Sequence, residues 1–264
     1  MKIAVYQMDI IPGKPEQNRK KVANWVESVC NEDKPDTVVL PEMWTTAYTL
    51  NDLEDLAEDE SETTIHLLKE LAVKFQINIV GGSFATKEDA KIYNRAVVIN
   101  RAGELIYQYD KMHLVPMLNE HLYLEGGKSS PGIFELDGQK MGLIICYDLR
   151  FPELMRGLAL QGAQAVFVLA EWPEARSNHW KVLQQARAIE NQMYIISSNR
   201  VGEYDGVEFC GHSMIVDPWG DFIHVASQHK EETVVASLNL EKVKEVRENV
   251  PVFKSRTPEY YLPH

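Results

Sequence analysis

The chain has 264 residues, 45% of them hydrophobic and 25% charged, an ordinary globular balance with enough apolar mass for a substantial core. Its 27 basic and 39 acidic residues give a formal net charge of −12, so the surface repels nucleic acid and anionic membranes, and neither is an expected partner. Cys30, Cys146 and Cys210 have no paired spacing, which argues against a disulfide framework or a zinc site and for a reducing compartment. Residues 1–9 lack a signal peptide's apolar core, and no apolar run reaches the length of a membrane span, so a cytoplasmic location is expected.

Short β-rich runs alternate with amphipathic helices. Residues 3–8 read as a first strand, broken by Pro12-Gly13, and Val22, Trp25, Val26 and Val29 then fall on one helical face. Residues 37–40 form a strand apolar throughout, as expected when both faces are covered, and it runs into Pro41-Glu42. Asp59 and Glu62 have capping-box spacing for a helix whose face is Ile65, Leu68, Ala72 and Phe75. Strands are predicted at 77–80, 96–100 and 105–109, with a turn at Arg101-Ala102-Gly103, followed by a polar loop over 111–131. Asp137-Gly138 joins strands 133–136 and 141–145 as a hairpin. A helix starts near Pro152, a buried strand covers 165–169, and a helix over 177–192 turns Val182, Leu183, Ala186 and Ile189 inward. Strands at 194–198, 213–216, 222–226 and 233–238 precede a charged helix from Glu241. A tail from about 251 to 264, carrying Phe253, Tyr260 and Tyr261, is expected to pack on something, such as a second subunit. The rhythm implies a mixed sheet with helices outside, and so many strands favour two stacked sheets in one domain over residues 1–264.

Three strand ends carry reactive side chains. Cys146 follows the buried run Gly142-Leu143-Ile144-Ile145 and precedes a polar turn into a helix, where a nucleophile projects from the sheet with backbone N–H groups nearby. The helix N-terminus and neighbouring cations are expected to lower its thiol pKa. A buried core cysteine is the commoner fate of the residue. Glu42, at the end of Val38-Val39-Leu40-Pro41, is placed as a partly desolvated general base, against the plainer reading of a loop acid. Lys111, in Tyr109-Asp110-Lys111-Met112-His113-Leu114, is placed to neutralise an oxyanion, although alone it reads as a surface lysine. Glu120 is a second carboxylate candidate for the same pocket.

Taken in order, strand-Pro-Glu, Asp-Lys-Met-His-Leu and Cys-Tyr-Asp-Leu-Arg-Phe-Pro-Glu resemble the nitrilase superfamily of carbon–nitrogen hydrolases. The resemblance extends through Ala186-Arg187-Ala188-Ile189-Glu190-Asn191-Gln192 and Val216-Asp217-Pro218-Trp219-Gly220. It implies an α/β fold built as a four-layer α-β-β-α sandwich, a homodimer that extends it to eight layers, a catalytic triad of Glu42, Lys111 and Cys146, and a second glutamate at Glu120. Asp148-Leu149-Arg150-Phe151-Pro152-Glu153 looks like the amidase branch, and Glu171-Trp172-Pro173 with Arg176-Ser177 and His179-Trp180 is similar to the ω-amidases, which hydrolyse the terminal amide of 2-oxoglutaramate and related dicarboxylate monoamides. Under that likeness a small-molecule amide is the substrate, Arg176 binds its distal carboxylate, Tyr147 and Trp172 line the pocket, and no metal or cofactor is needed. Many relatives have an uncharged residue where this chain has Glu171, and a pocket-facing carboxylate there would oppose an anionic substrate.

Other readings stay open. Nitrilase or N-carbamoyl hydrolase chemistry needs the same nucleophile, a redox sensor would also use an activated thiol, and a non-catalytic binding protein can share the fold. Gly127-Lys128-Ser129 echoes a phosphate loop, but Leu122 stands where its first glycine belongs. The 8 histidines show no ligand spacing, and His113 and His179 read as structural.

Overall fold

The computed structural model describes residues 1–59 and 62–261. Two six-strand ladders stack face to face. The first runs Glu232–Ser237, Lys2–Gln7, Thr37–Val39, Asn78–Glu88, Lys91–Ile99, Leu105–Asp110, with the short Glu58–Asp59 strand added alongside Asn78–Glu88. The second runs Phe222–Val225, Met214–Val216, Tyr194–Asn199, Ala165–Ala170, Gln139–Ile145, Phe134–Leu136. Each has a parallel centre and antiparallel flanks, the mixed arrangement that alternating strands, helices and hairpins imply.

Strand alternation sorts the core into layers. Ile3, Val5, Val39, Val80 and Val98 point between the sheets and meet Leu143, Ile145 and Phe167. Their neighbours Ala4, Tyr6, Val38, Ile79 and Val97 point the other way, onto Val22 and Val26 of helix Pro15–Glu32 and Leu68 and Ala72 of helix Glu62–Phe75. Outside the second sheet lie Met155 and Leu158 of helix Pro152–Leu160, with Trp180 and Ala188 of helix Ser177–Asn191. The result is the α-β-β-α sandwich.

Three local expectations fail for identifiable reasons. The strands at 77–80 and 96–100 are the ends of one long hairpin, Asn78–Glu88 with Lys91–Ile99. Its turn residues Asp89 and Ala90 both take positive φ (48° and 59°) without a glycine to announce them. Asp59 does not cap the next helix, because it pairs with Lys87 in a strand; Glu58 does that work instead, accepting the Thr64 backbone N–H at 2.8 Å. On helix Ser177–Asn191, Val182 and Ile189 are about half exposed (54% and 51%), while Gln184, Arg187 and Asn191 face inward. Arg187 wins that face because its guanidinium donates to the Leu149 carbonyl from both Nε (3.2 Å) and Nη2 (2.9 Å), fastening the helix under the turn that follows Cys146.

Strand Asn78–Glu88 also carries the register shift that admits the loop after Glu42. Gly82, at φ 65°, lies so close that a Cβ there would sit 2.3 Å from the Pro41 carbonyl oxygen. Ser83 donates its N–H to that same carbonyl (3.1 Å) and takes the Trp44 N–H on its own (3.1 Å), so the loop is sewn to the strand.

Candidate active site

Glu42, Lys111 and Cys146 lie just beyond the carboxyl ends of strands Thr37–Val39, Leu105–Asp110 and Gln139–Ile145, and the stacking of the sheets brings them together. Lys111 is fully buried. Its Nζ lies 3.0 Å from Glu42 Oε1, 2.9 Å from Glu120 Oε1 and 2.8 Å from the Tyr48 hydroxyl. Burial alone would lower the lysine pKa, but the charges of Glu120 and Glu42 outweigh it and hold the pKa above its ordinary value. Lys111 is therefore an ammonium. Glu120, on the short 3₁₀ turn Glu120–Leu122, is itself fixed by the Val115 N–H on its other oxygen at 2.7 Å.

The two oxygens of Glu42 have unequal surroundings. Oε1 accepts from the Tyr48 hydroxyl (2.6 Å), Asn94 Nδ2 (2.8 Å) and Lys111 Nζ. Oε2 accepts the Glu171 backbone N–H at 2.8 Å. Three donors crowd one oxygen, and the other keeps a lone pair for an incoming proton.

Cys146 is 5% exposed and sits at φ 45°, at the head of the 3₁₀ turn Cys146–Arg150. That backbone conformation costs a non-glycine residue energy and turns its side chain off the strand. The expected lowering of the thiol pKa is not found. Burial, together with the Glu42 and Glu120 charges, pushes the thiol well above its ordinary value against the pull of Lys111. The helix that was to help begins only at Pro152. At rest the sulfur keeps its proton, beside the Glu42 carboxylate.

Asp148 holds the turn from behind. It accepts the Ile145 N–H (3.2 Å), the Tyr109 hydroxyl (2.9 Å), and both the N–H (3.1 Å) and Nδ1 (2.8 Å) of His113, which stacks on Phe151. His113 is thus a structural bracket, as its sequence context suggested.

A cavity of about 540 Å³ opens over the thiol. Tyr48, Tyr147, Arg150, Trp172 and Arg176 line it together with Cys146. Trp172 is fixed by its indole N–H, which donates to the Arg176 carbonyl at 2.9 Å. The Arg150 guanidinium lies 4.7 Å from the Trp172 ring centre, and burial and the neighbouring Arg176 charge both lower its pKa. Among the described residues neither arginine forms an ion pair with a carboxylate, although Glu174, Asp205 and Glu208 also line the cavity. Glu171 does not cancel the two cations. Its side chain is buried with Oε2 on Arg200 Nη1 at 2.8 Å, and burial pushes its carboxyl up to about 8 against the pull of that guanidinium. The pair adds no net negative charge to the cavity.

Tyr48, Asn94 and Arg200 carry no mark in the sequence, since they follow no periodicity or spacing rule. Arg150 lies in the motif after Cys146, but the motif alone assigns it no task. The available signal was the interval from Cys146 to Arg150, one turn of 3₁₀ helix and a little more, which carries the guanidinium to the same cavity. Among the described residues no three His, Cys, Asp or Glu side chains are grouped to hold a metal ion, and no helix is long and apolar enough to cross a membrane.

The carbon-nitrogen hydrolase family model matches residues 2–248. A 2-oxoglutaramate amidase of Bacillus subtilis (strain 168) is 42% identical over 260 residues, covering 98% of each chain. The omega-amidase YafV of Escherichia coli (strain B / BL21-DE3) is 31% identical, covering 96% of each. Among solved structures, Saccharomyces cerevisiae Nit3, a member of branch 10 of the nitrilase superfamily, superposes with a TM-score of 0.90 at 30% identity, covering 97% of this chain and 96% of that one. With that sandwich and that match along nearly its whole length, the chain belongs to the carbon–nitrogen hydrolase family, and it is an enzyme acting on amides.

Proposed function

We propose that the enzyme is an ω-amidase, hydrolysing the terminal amide of 2-oxoglutaramate or a similar dicarboxylate monoamide through a thioester on Cys146. The observation that carries this reading is the adjacent Arg150–Arg176 pair, in no ion pair among the described residues, in the cavity that holds the thiol. Guanidinium groups bind carboxylates bidentately, and two together fit the distal carboxylate of such a substrate. The 42% identity to the Bacillus subtilis 2-oxoglutaramate amidase supports the same substrate class.

In the proposed reaction the Cys146 S–H bond breaks and its proton passes to Glu42 Oε2 while Sγ bonds to the amide carbon. The carbonyl electron pair moves onto oxygen, where Lys111 Nζ and the Tyr147 backbone N–H stabilise it; one such donor is typically worth about a hundred- to a thousand-fold in rate. Glu42 gives the proton to nitrogen, the C–N bond breaks and ammonia leaves. Water then loses a proton to Glu42 and attacks the thioester, and the acid departs as Glu42 returns that proton to sulfur. Glu120 holds Lys111 in place throughout.

Purified protein incubated with 2-oxoglutaramate and with succinamate should release ammonia. In Arg150→Ala and Arg176→Ala, KM for these substrates should rise by about 10- to 100-fold, the worth of a charge-assisted hydrogen bond, while a neutral amide such as butyramide is little affected. No ammonia from wild type rejects the substrate class, and equal losses on charged and neutral amides remove the arginines from carboxylate recognition.

We also propose a homodimer. Val182, Ile189, Trp219 and Phe222 are 43–54% exposed, and Gly220 packs directly on Ile189, so these side chains form one apolar face outside helix Ser177–Asn191. The tail from about 251 to 264 is a further candidate for that contact. Phe253 packs on its own chain between the Arg156 and Arg247 guanidiniums, Tyr260 and Tyr261 are exposed, and residues 262–264 lie outside the described residues. Sedimentation of the purified protein distinguishes a dimer from a monomer.

A further inference from the structure

Tyr48 is the one phenol whose hydroxyl bonds both Lys111 and Glu42, among the described residues. It accepts from Lys111 Nζ at 2.8 Å and donates to Glu42 Oε1 at 2.6 Å, and its partly buried ring lines the cavity with Cys146. It stays protonated, because burial and the charges of Glu120 and Glu42 push its ionisation well above the ordinary range. Its one proton is therefore always available to Oε1. We propose that Tyr48 is a positioning residue for the hydrolysis: by occupying Glu42 Oε1 it reserves Oε2 for the Cys146 proton.

The physical basis is a difference between the two forms of Glu42. A carboxylate accepting several hydrogen bonds is stabilised relative to its acid. Without the phenol, Oε1 keeps only Asn94 Nδ2 and Lys111 Nζ. The acid form then becomes easier to populate, and a proton arriving on Oε1 is lost to the reaction because Oε2 is the oxygen left open. The groups facing this carboxylate from the packed elements are Lys111, Glu120, Cys146 and the Glu171–Arg200 pair, and Tyr48→Phe leaves all of them in place.

Tyr48 has this role only if Cys146 and Glu42 act as proposed above. Alkylation of Cys146 by iodoacetamide, followed by intact mass against pH, reads the thiol and its base with no amide present, so a wrong substrate and a wrong Tyr48 give different results. In Tyr48→Phe the acid limb of the alkylation rate should move up by about one pH unit, the loss of roughly one hydrogen bond to a charged group. In steady state kcat should fall about tenfold with KM little changed. Asn94→Ala removes a different donor from the same oxygen and should move the limb in the same direction. A limb in Tyr48→Phe that stays at the wild-type position, or moves down, overturns the proposal whatever happens to kcat or to thermal stability, because a merely structural tyrosine lowers activity without shifting it.

Discussion

Cys146→Ala should abolish ammonia release, by on the order of 10⁵-fold or more, because no other group can form the acyl intermediate and residues that act as a unit lose nearly everything with their nucleophile. The fold should survive. The substitution removes one sulfur from a side chain that is already small, and stability should change by no more than about 1 kcal/mol. Intact mass should find an acyl adduct on wild type with a slow substrate and none on the variant. Residual turnover above about a hundredth of wild type would mean that hydrolysis proceeds by direct attack of water on the amide. The same environment weighs against a redox sensor. Such sensors need an exposed thiol of low pKa, whereas this one is 5% exposed and held protonated by its surroundings.

Lys111→Ala should damage activity and stability together. Its ammonium is the sole cation within hydrogen-bond reach of two fully buried carboxylates, at 3.0 Å from Glu42 and 2.9 Å from Glu120, among the described residues. Taking it away leaves two like charges sealed from water, and breaking a buried pair in this manner typically costs about 3–5 kcal/mol. One carboxyl will then take up a proton, and if that is Glu42 the base is lost as well. Turnover should fall at least a thousand-fold, with a Tm lowered by several degrees that partly recovers at acid pH, where the carboxyls are neutral. Calorimetry across pH 5 to 8 checks this, and a variant as stable as wild type at neutral pH would mean that the site relaxes to admit water.

The sandwich was legible because its signals are local and repeated. Runs such as 37–40 and 165–169 are apolar throughout since each is covered on both faces, and Asp137-Gly138 announces its hairpin. The convergence of Glu42, Lys111, Glu120 and Cys146 was legible through the family resemblance, since nothing in the spacing of positions 42, 111, 120 and 146 says that they touch. What stayed hidden depends on tertiary partners. Val182 and Ile189 follow a good helical face, but Arg187 takes the inward position by bonding a carbonyl beyond the reach of any periodicity. The thiol's pKa is hidden from the sequence for the same reason. Lys111 is beside it as expected, but so are two carboxylates and a dry environment, and the sum has the opposite sign. Glu171 looked like an obstacle to anionic substrates until Arg200, 29 residues on, was seen to hold it.

The close approach at Gly82 bears on how this enzyme tolerates change. That glycine is buried and does not line the cavity, yet its hydrogen atom occupies the space in which the loop after Glu42 is pressed to the strand. Any side chain would lift the loop and carry the base away from sulfur while most of the core stayed assembled. In a mutational scan scored on activity, position 82 would rank with the triad, and a map of intolerant sites would outline the scaffold of the base as sharply as the chemistry itself. Drift in substrate preference is then channelled to the cavity walls around Arg150 and Arg176, where side chains can be exchanged without moving the strand ends.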